Sequence, residues 1–290
     1  MREFSAPAPE CVEKALGREA TNHWLLFDNP GELADYAIRE CPSNSNMNAR
    51  TGFAGPHDAQ ETAKRTREGD LSCVEKADAL LSRFERFAFE TGRKAWLDDV
   101  TGAIPNVPAF IAGHPLAMRR RARQDSAAAP LAIIADLTTS AGLSTAQIEA
   151  RGSAILALVR ILSARRPVEL WAGCMVGAGG CDRDLCAVFC QIESAPLDLA
   201  RAAYVMTGAG FPRRLCYGIA ECRHNFRGGW PYNNTDASKQ NLTAICAQAF
   251  HHASETLCIP PIHVRDLLVK SPEVWIEQKL AELSPVDLAA

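Results

Sequence analysis

The chain has 290 residues, 47% of them hydrophobic and 22% charged, which suits a soluble globular protein of one large domain or two modest ones. Its net charge of -3, from 31 basic and 34 acidic side chains, is too balanced for a dedicated electrostatic nucleic-acid binder and leaves only local basic patches. No window reaches the roughly 18 continuous apolar residues of a membrane helix, the start shows no basic-then-apolar targeting pattern, and the 11 cysteines are scattered rather than clustered. We expect no membrane association and a cytoplasmic protein with mostly buried, inert thiols.

In chain order, residues 1–50 are mixed in character, with one helix expected from about Gly31 to Cys41. The stretch from Pro42 to Gly52 is rich in Ser, Asn and Gly and reads as an exposed loop. Asp58 with Glu61 three positions on has capping-box spacing, and Gly69 is placed to end that helix. Apolar residues at helical period predict a further helix from Leu71 to Glu90. From Thr101 to Pro130 prolines and glycines interrupt any regular element, so this stretch reads as a connector. It ends in the basic run Arg119, Arg120, Arg121 and Arg123, either a solvated linker or a phosphate-contacting patch.

The second half alternates strands and helices. Leu131 to Ala135 is a short apolar strand, and Thr145 to Ala164 a helix apolar on much of its surface. "RPVELWAGCMV" and "LCAVFCQIE" read as a hairpin around the glycine-rich "GAGGCDRD", forming an antiparallel edge. "APLDLARAAYVM" is a helix, "RRLCYGIAEC" a short strand or strand-like bend, and "NLTAICAQAFHHA" another helix. "ETLCIPPI" is a late strand, and Ser271 with Pro272 opens a final helix. This rhythm predicts an α/β layer sandwich with a mixed sheet.

The strand ending at Ala135 is followed by Asp136-Leu137-Thr138-Thr139-Ser140. A carboxylate and hydroxyls at alternating positions, at the carboxyl end of a strand, can converge on Mg²⁺ or Mn²⁺. The same residues can equally make turns and cap the helix that begins near Thr145. The succession strand, Asp-x-Thr-x-Ser, helix, hairpin, helix resembles a von Willebrand factor A-type (vWA) domain and its metal-ion-dependent adhesion site. That resemblance covers about residues 130–261. It implies a Rossmann-like layer sandwich, with Asp136, Thr138 and Ser140 as the first ligands and threonine in place of the first serine. Thr207 in "VMTGAG" would be the loop threonine, and Asp266 the late aspartate, although the family's Asp-Gly element is not visible. A partner's carboxylate would complete the coordination, so the resemblance implies a protein-binding module. We therefore expect a helical amino-terminal region over 1–115, a basic connector over 116–130 and a vWA-like domain over 131–290.

The phrases "GAIPNVPAFIAGHPLAMRRR", "RGSAILALVRILSARRPVELW" and "SAPLDLARAAYVM" are similar to uncharacterised proteins of bacteriophages and related mobile elements. This resemblance implies an origin in a bacterial host cell, with virion association open, and no mechanism. A second functional expectation rests on "RHNFRGGWPYNN". Arg223, Arg227, Trp230 and Tyr232, with the Arg119–Arg123 run, suit single-stranded nucleic acid. A protein interface is the other reading of that loop. A metal-dependent hydrolase is the third expectation, and no general base marks it. No nucleotide cofactor is expected, because "GAGG" links two strands and no phosphate-binding loop motif is present. Cys174, Cys181, Cys186 and Cys190 lack zinc-site spacing and read as buried thiols.

Overall fold

The computed structural model describes residues 1–16, 19–75, 78, 96–101, 104–121, 130–139, 142–163, 167–177, 184–193, 197–224, 236–251, 255–262 and 270–282. In chain order these form β1 (Arg2–Pro7), α1 (Glu10–Leu16), β2 (Thr21–Phe27), α2 (Pro30–Glu40), α3 (Thr51–Ala54) and α4 (Ala59–Glu68). Then come β3 (Trp96–Asp99), β4 (Ile104–Pro105), α5 (Val107–Ile111), β5 (Met118–Arg121), β6 (Leu131–Asp136), α6 (Thr145–Ser163), β7 (Val168–Gly177) and β8 (Leu185–Ile192). The chain closes with α7 (Leu199–Thr207), a π-helical turn (Phe211–Cys216), α8 (Tyr217–His224), α9 (Asp236–Ala247), β9 (Glu255–Ile259) and α10 (Pro272–Glu282).

Six strands make one mixed sheet in the order β1-β2-β8-β7-β6-β9. β6 pairs in parallel with β7 and β9, β7 and β8 are antiparallel, and β2 runs parallel to β8. Every residue of β6 is buried, as befits a parallel strand covered on both faces. Side chains alternate between two cores. Leu131, Ile133 and Ala135 of β6, with Leu25 and Phe27 of β2, face the core that α2, α6 and α7 cover. Trp24, Ile134, Trp171 and Phe189 face the other core, under α1 and α9. There Phe250 sits edge-on to Trp24 at 5.9 Å and tilted over Trp171 at 5.0 Å. The result is a three-layer α/β/α arrangement. Among the described residues, no helix is long and apolar enough to cross a membrane.

Local signals explain most helix ends. Asn29 accepts the Glu32 amide at 2.8 Å to start α2, and Asp58 accepts the Glu61 amide at 2.8 Å to start α4. Gly69 ends α4 at φ 85° with its amide on the Arg65 carbonyl.

Four expectations change. The amino-terminal region is not wholly helical, because β1 and β2 extend the main sheet. The β7–β8 hairpin is therefore interior rather than an edge. The connector contains β5, the centre of a separate three-stranded sheet in the order β3-β5-β4. Finally, "RRLCYGIAEC" is helical: the π turn runs into α8, because Phe211, Leu215, Cys216, Ile219 and Ala220 bury a helix-spaced stripe. Of the helix expected from Leu71 to Glu90, residues 76–77 and 79–90 lie outside the described residues.

Candidate functional site

β6 ends on Asp136 at the sheet's carboxyl edge, where its neighbours β7 and β9 also point. Asp136 is 2% exposed and Thr138 is fully buried. Asp136 Oδ1 accepts the Thr138 amide at 2.9 Å and the Met175 amide at 3.3 Å. The Thr138 hydroxyl accepts the Met175 amide at 3.0 Å and donates to the Met175 carbonyl at 3.1 Å. The acid and hydroxyl thus close an Asx-type turn and continue the β6–β7 ladder where regular strand pairing stops.

Three further buried side chains hold this turn. Arg151 of α6 donates to the Asp136 carbonyl at 2.6 Å and the Pro260 carbonyl at 2.8 Å, clamping the ends of β6 and β9. Tyr217 accepts the Thr139 amide at 3.1 Å and donates to the Thr139 carbonyl at 3.3 Å. Arg213, from the π turn, donates to Thr139 Oγ1 at 3.1 Å, the Phe53 carbonyl at 2.6 Å and the Leu143 carbonyl at 3.2 Å. Its guanidinium also lies 4.6 Å from the Phe53 ring centroid. The sequence reading did not single out Arg151, Arg213 or Tyr217. The available signal was Arg151 at the head of the apolar run "RGSAILALV", where a charge must find buried acceptors.

Burial pushes the Asp136 carboxyl above its ordinary value; its bonds from Thr138, the Arg151 charge and the Met175 amide oppose that shift. Burial likewise pulls the Arg213 guanidinium down, yet an arginine stays charged here. A raised folded-state value means that the Asp136 contribution is complete below the unfolded value of about 3.9 and is lost as pH rises through the folded value. Asp136→Asn keeps the accepting oxygen and does not titrate, so its stability relative to the wild type should improve as pH rises. Urea unfolding from about pH 4 to about pH 8 checks this, and a pH-independent gap would refute it. Asp136→Ala, which removes the acceptor, should cost about 2 kcal/mol at about pH 4, and this cost should shrink as pH rises because the wild type loses the Asp136 contribution.

Of the ligands expected for Mg²⁺ or Mn²⁺, Asp136, Thr138 and Thr207 make hydrogen bonds within the protein. Asp136 and Thr138 are engaged by the backbone, and Thr207 donates its hydroxyl to the Ala203 carbonyl at 2.7 Å as the last residue of α7. Ser140 and Asp266 lie outside the described residues. The arrangement of Asp136 and Thr138 forms the turn that the sequence allowed. Thr207 with Gly208 and Gly210 borders a cleft of 270 Å³ that Thr145, Glu149 and His57 also line.

The two basic groups are in different elements. Arg119, Arg120 and Arg121 are on β5, so the run is a strand and not a linker. Arg119 pairs with Asp98 at 3.1 Å, and Arg223 of α8 pairs with Glu3 at 2.5 Å. Arg123, Arg227, Trp230 and Tyr232 lie outside the described residues. Ser5, His23 and Asp184 form a chain of contacts, 2.8 Å from Ser5 Oγ to His23 Nδ1 and 3.3 Å from His23 Nε2 to Asp184. Ser5 and His23 are cross-strand partners on β1 and β2. We read this chain of contacts as a polar ladder that holds the sheet edge.

The small sheet carries a different feature. Asp98 ties it together, accepting from Asn106 Nδ2 at 3.2 Å and Arg119 Nε at 3.1 Å. The Asn106 amide donates to the Ala117 carbonyl at 2.8 Å, closing the base of the α5 loop, and Gly113 turns the chain at φ 69°. On this base Val107, Phe110 and Ile111 of α5 are 54%, 71% and 79% exposed. Val100, Ile104 and Leu116 are exposed beside them in sequence.

The model of one family, described as a domain of unknown function (DUF7192), matches residues 14–260. The chain belongs to this family. The match takes in β2 through the last strand of the sheet, and the edge strand β1 and the helix α10 lie outside it. No curated protein and no solved structure matches the chain. For this DUF7192 chain, function is therefore argued from the geometry of its own residues.

Proposed function

We propose that the protein is a non-enzymatic binding or assembly module on a vWA-like α/β scaffold, and that it engages a protein partner through the α5 unit. One observation carries this reading: six large apolar side chains between Val100 and Leu116 are exposed on a unit that polar bonds hold together. Apolar side chains concentrated in this way mark interaction sites. The succession of β6, α6, the β7–β8 hairpin and α7 supports the vWA-like scaffold.

The double substitution Phe110→Asp with Ile111→Asp tests the proposal. Both side chains are mostly exposed, so the unfolding midpoint should stay within about 2 °C of the wild type. Partner binding, measured with the protein that co-purifies from the native host, should weaken at least about tenfold. Equal capture by the two forms would overturn the proposed surface.

A further inference from the structure

Cys41 follows the last residue of α2 and is buried, whereas Cys222 on α8 is exposed. The Cys222 thiol donates to the Glu40 carbonyl at 3.2 Å, which places it against the residue that precedes Cys41 in the chain. Burial, and after it the neighbouring Cys222 side chain, hold the Cys41 thiol above its ordinary value. Around them, Asn44 Nδ2 donates to the Gly218 carbonyl at 2.7 Å, and Glu221 accepts from Ser45 Oγ and Asn46 Nδ2. The α2–α3 loop is therefore already docked on α8 beside the cysteines. Cys174 with Cys216 and Cys246 with Cys258 are likewise thiol neighbours. Cys174 and Cys216 are both sealed in the core, and Cys246 is buried. Of these three pairs, Cys41–Cys222 contains the one exposed residue, Cys222.

We propose that Cys41 and Cys222 form a reversible disulfide site that latches the α2–α3 loop to α8, with a small-molecule disulfide such as oxidised glutathione as oxidant. The Cys222 thiol loses its proton and attacks one sulfur of the oxidant, forming a mixed disulfide and releasing one reduced glutathione. The Cys41 thiol then loses its proton and attacks the Cys222 sulfur, releasing the second. Two protein thiols are oxidised and one glutathione disulfide is reduced to two thiols. Burial raises the Cys41 thiol above its ordinary value, which disfavours the thiolate that the second step needs. The latch matters for packing, because the same loop and α3 present the Met47 and Phe53 carbonyls to Arg214 and Arg213.

The test is equilibration of the full-length reduced chain in glutathione buffers of increasing oxidised fraction, then alkylation and peptide mass mapping. The expected product is a Cys41–Cys222 cross-linked peptide, with the chain lighter by two hydrogens and returned to the thiol form by dithiothreitol. Cys41→Ser should stop at the Cys222–glutathione adduct, and Cys222→Ser, at an exposed position, should give neither product at this site. The oxidised wild type should unfold at a higher temperature than the reduced form, with no such rise in Cys222→Ser. A wild-type chain that holds only glutathione adducts at Cys222 overturns the proposal, as does a cross-link that forms only in denaturant.

Discussion

Arg213→Ala should be among the most damaging single substitutions in the molecule, at about 4 kcal/mol of unfolding free energy. The side chain is 2% exposed, and among the described residues its three bonds reach Thr139 beyond β6, Phe53 in α3 and Leu143 ahead of α6. Truncation leaves two carbonyls and a hydroxyl without this donor, at about 1–3 kcal/mol for each group that water does not reach. It also opens a void of side-chain size in a packed layer. Against a total stability of about 5–15 kcal/mol, such a loss decides whether the chain folds at physiological temperature. Arg213→Lys keeps the charge but not the planar fork, so it should recover only part of the loss. Urea unfolding of the three forms measures the series. A cost below about 1 kcal/mol for the alanine form would show that water satisfies the three acceptors.

Gly152→Ala should lose about 2 kcal/mol or more, opposite in sign to the effect of this change in an isolated helix. Gly152 is buried within α6, where alanine would normally gain about 0.5–1 kcal/mol. A methyl group there would lie 2.5 Å from the Met206 carbonyl carbon and 2.8 Å from Thr207 Cγ2, and would overlap the Met206 carbonyl oxygen. Much of the obstacle is backbone, so α6 and α7 must separate rather than one side chain turn aside. Gly52→Ala is the matched control. A methyl there meets nothing within 4 Å, and the change should be neutral or slightly stabilising. Thermal unfolding of the two variants distinguishes packing from propensity, and equal midpoints would sink the close-approach argument.

The first of these predictions concerns a residue that bonds to the turn after β6. The polar sequence there has a physical purpose independent of any ligand. A fully buried strand must hand its last amides and carbonyls to partners that are not strand, and Asp136, Thr138, Arg151, Arg213 and Tyr217 supply them. The interaction surface we propose lies elsewhere, on α5, where apolar side chains meet solvent on a unit braced by Asp98.

Elements whose signal lies within a few residues were legible in the sequence. Asp58 and Gly69 bound α4 as expected, Leu131–Asp136 is a buried strand, and α6 carries apolar residues on most of its surface. Hydrogen-bond geometry over three or four positions, and strand or helix period over five to fifteen, are properties of the local chain. Strand neighbours are not. Whether the β7–β8 hairpin is an edge depends on β2, more than 150 residues earlier, arriving beside β8 with Trp24 opposite Ala187. The oxygen-rich stretch Asp136–Thr139 shows the same division. Its residue types determine that it can accept amides or hold a cation, and the sequence could not choose between them. In the tertiary structure it accepts amides, because packing sets the Met175 amide and the Arg213 and Tyr217 side chains against it, and a buried carboxylate and hydroxyl bond to what lies within about 3.3 Å.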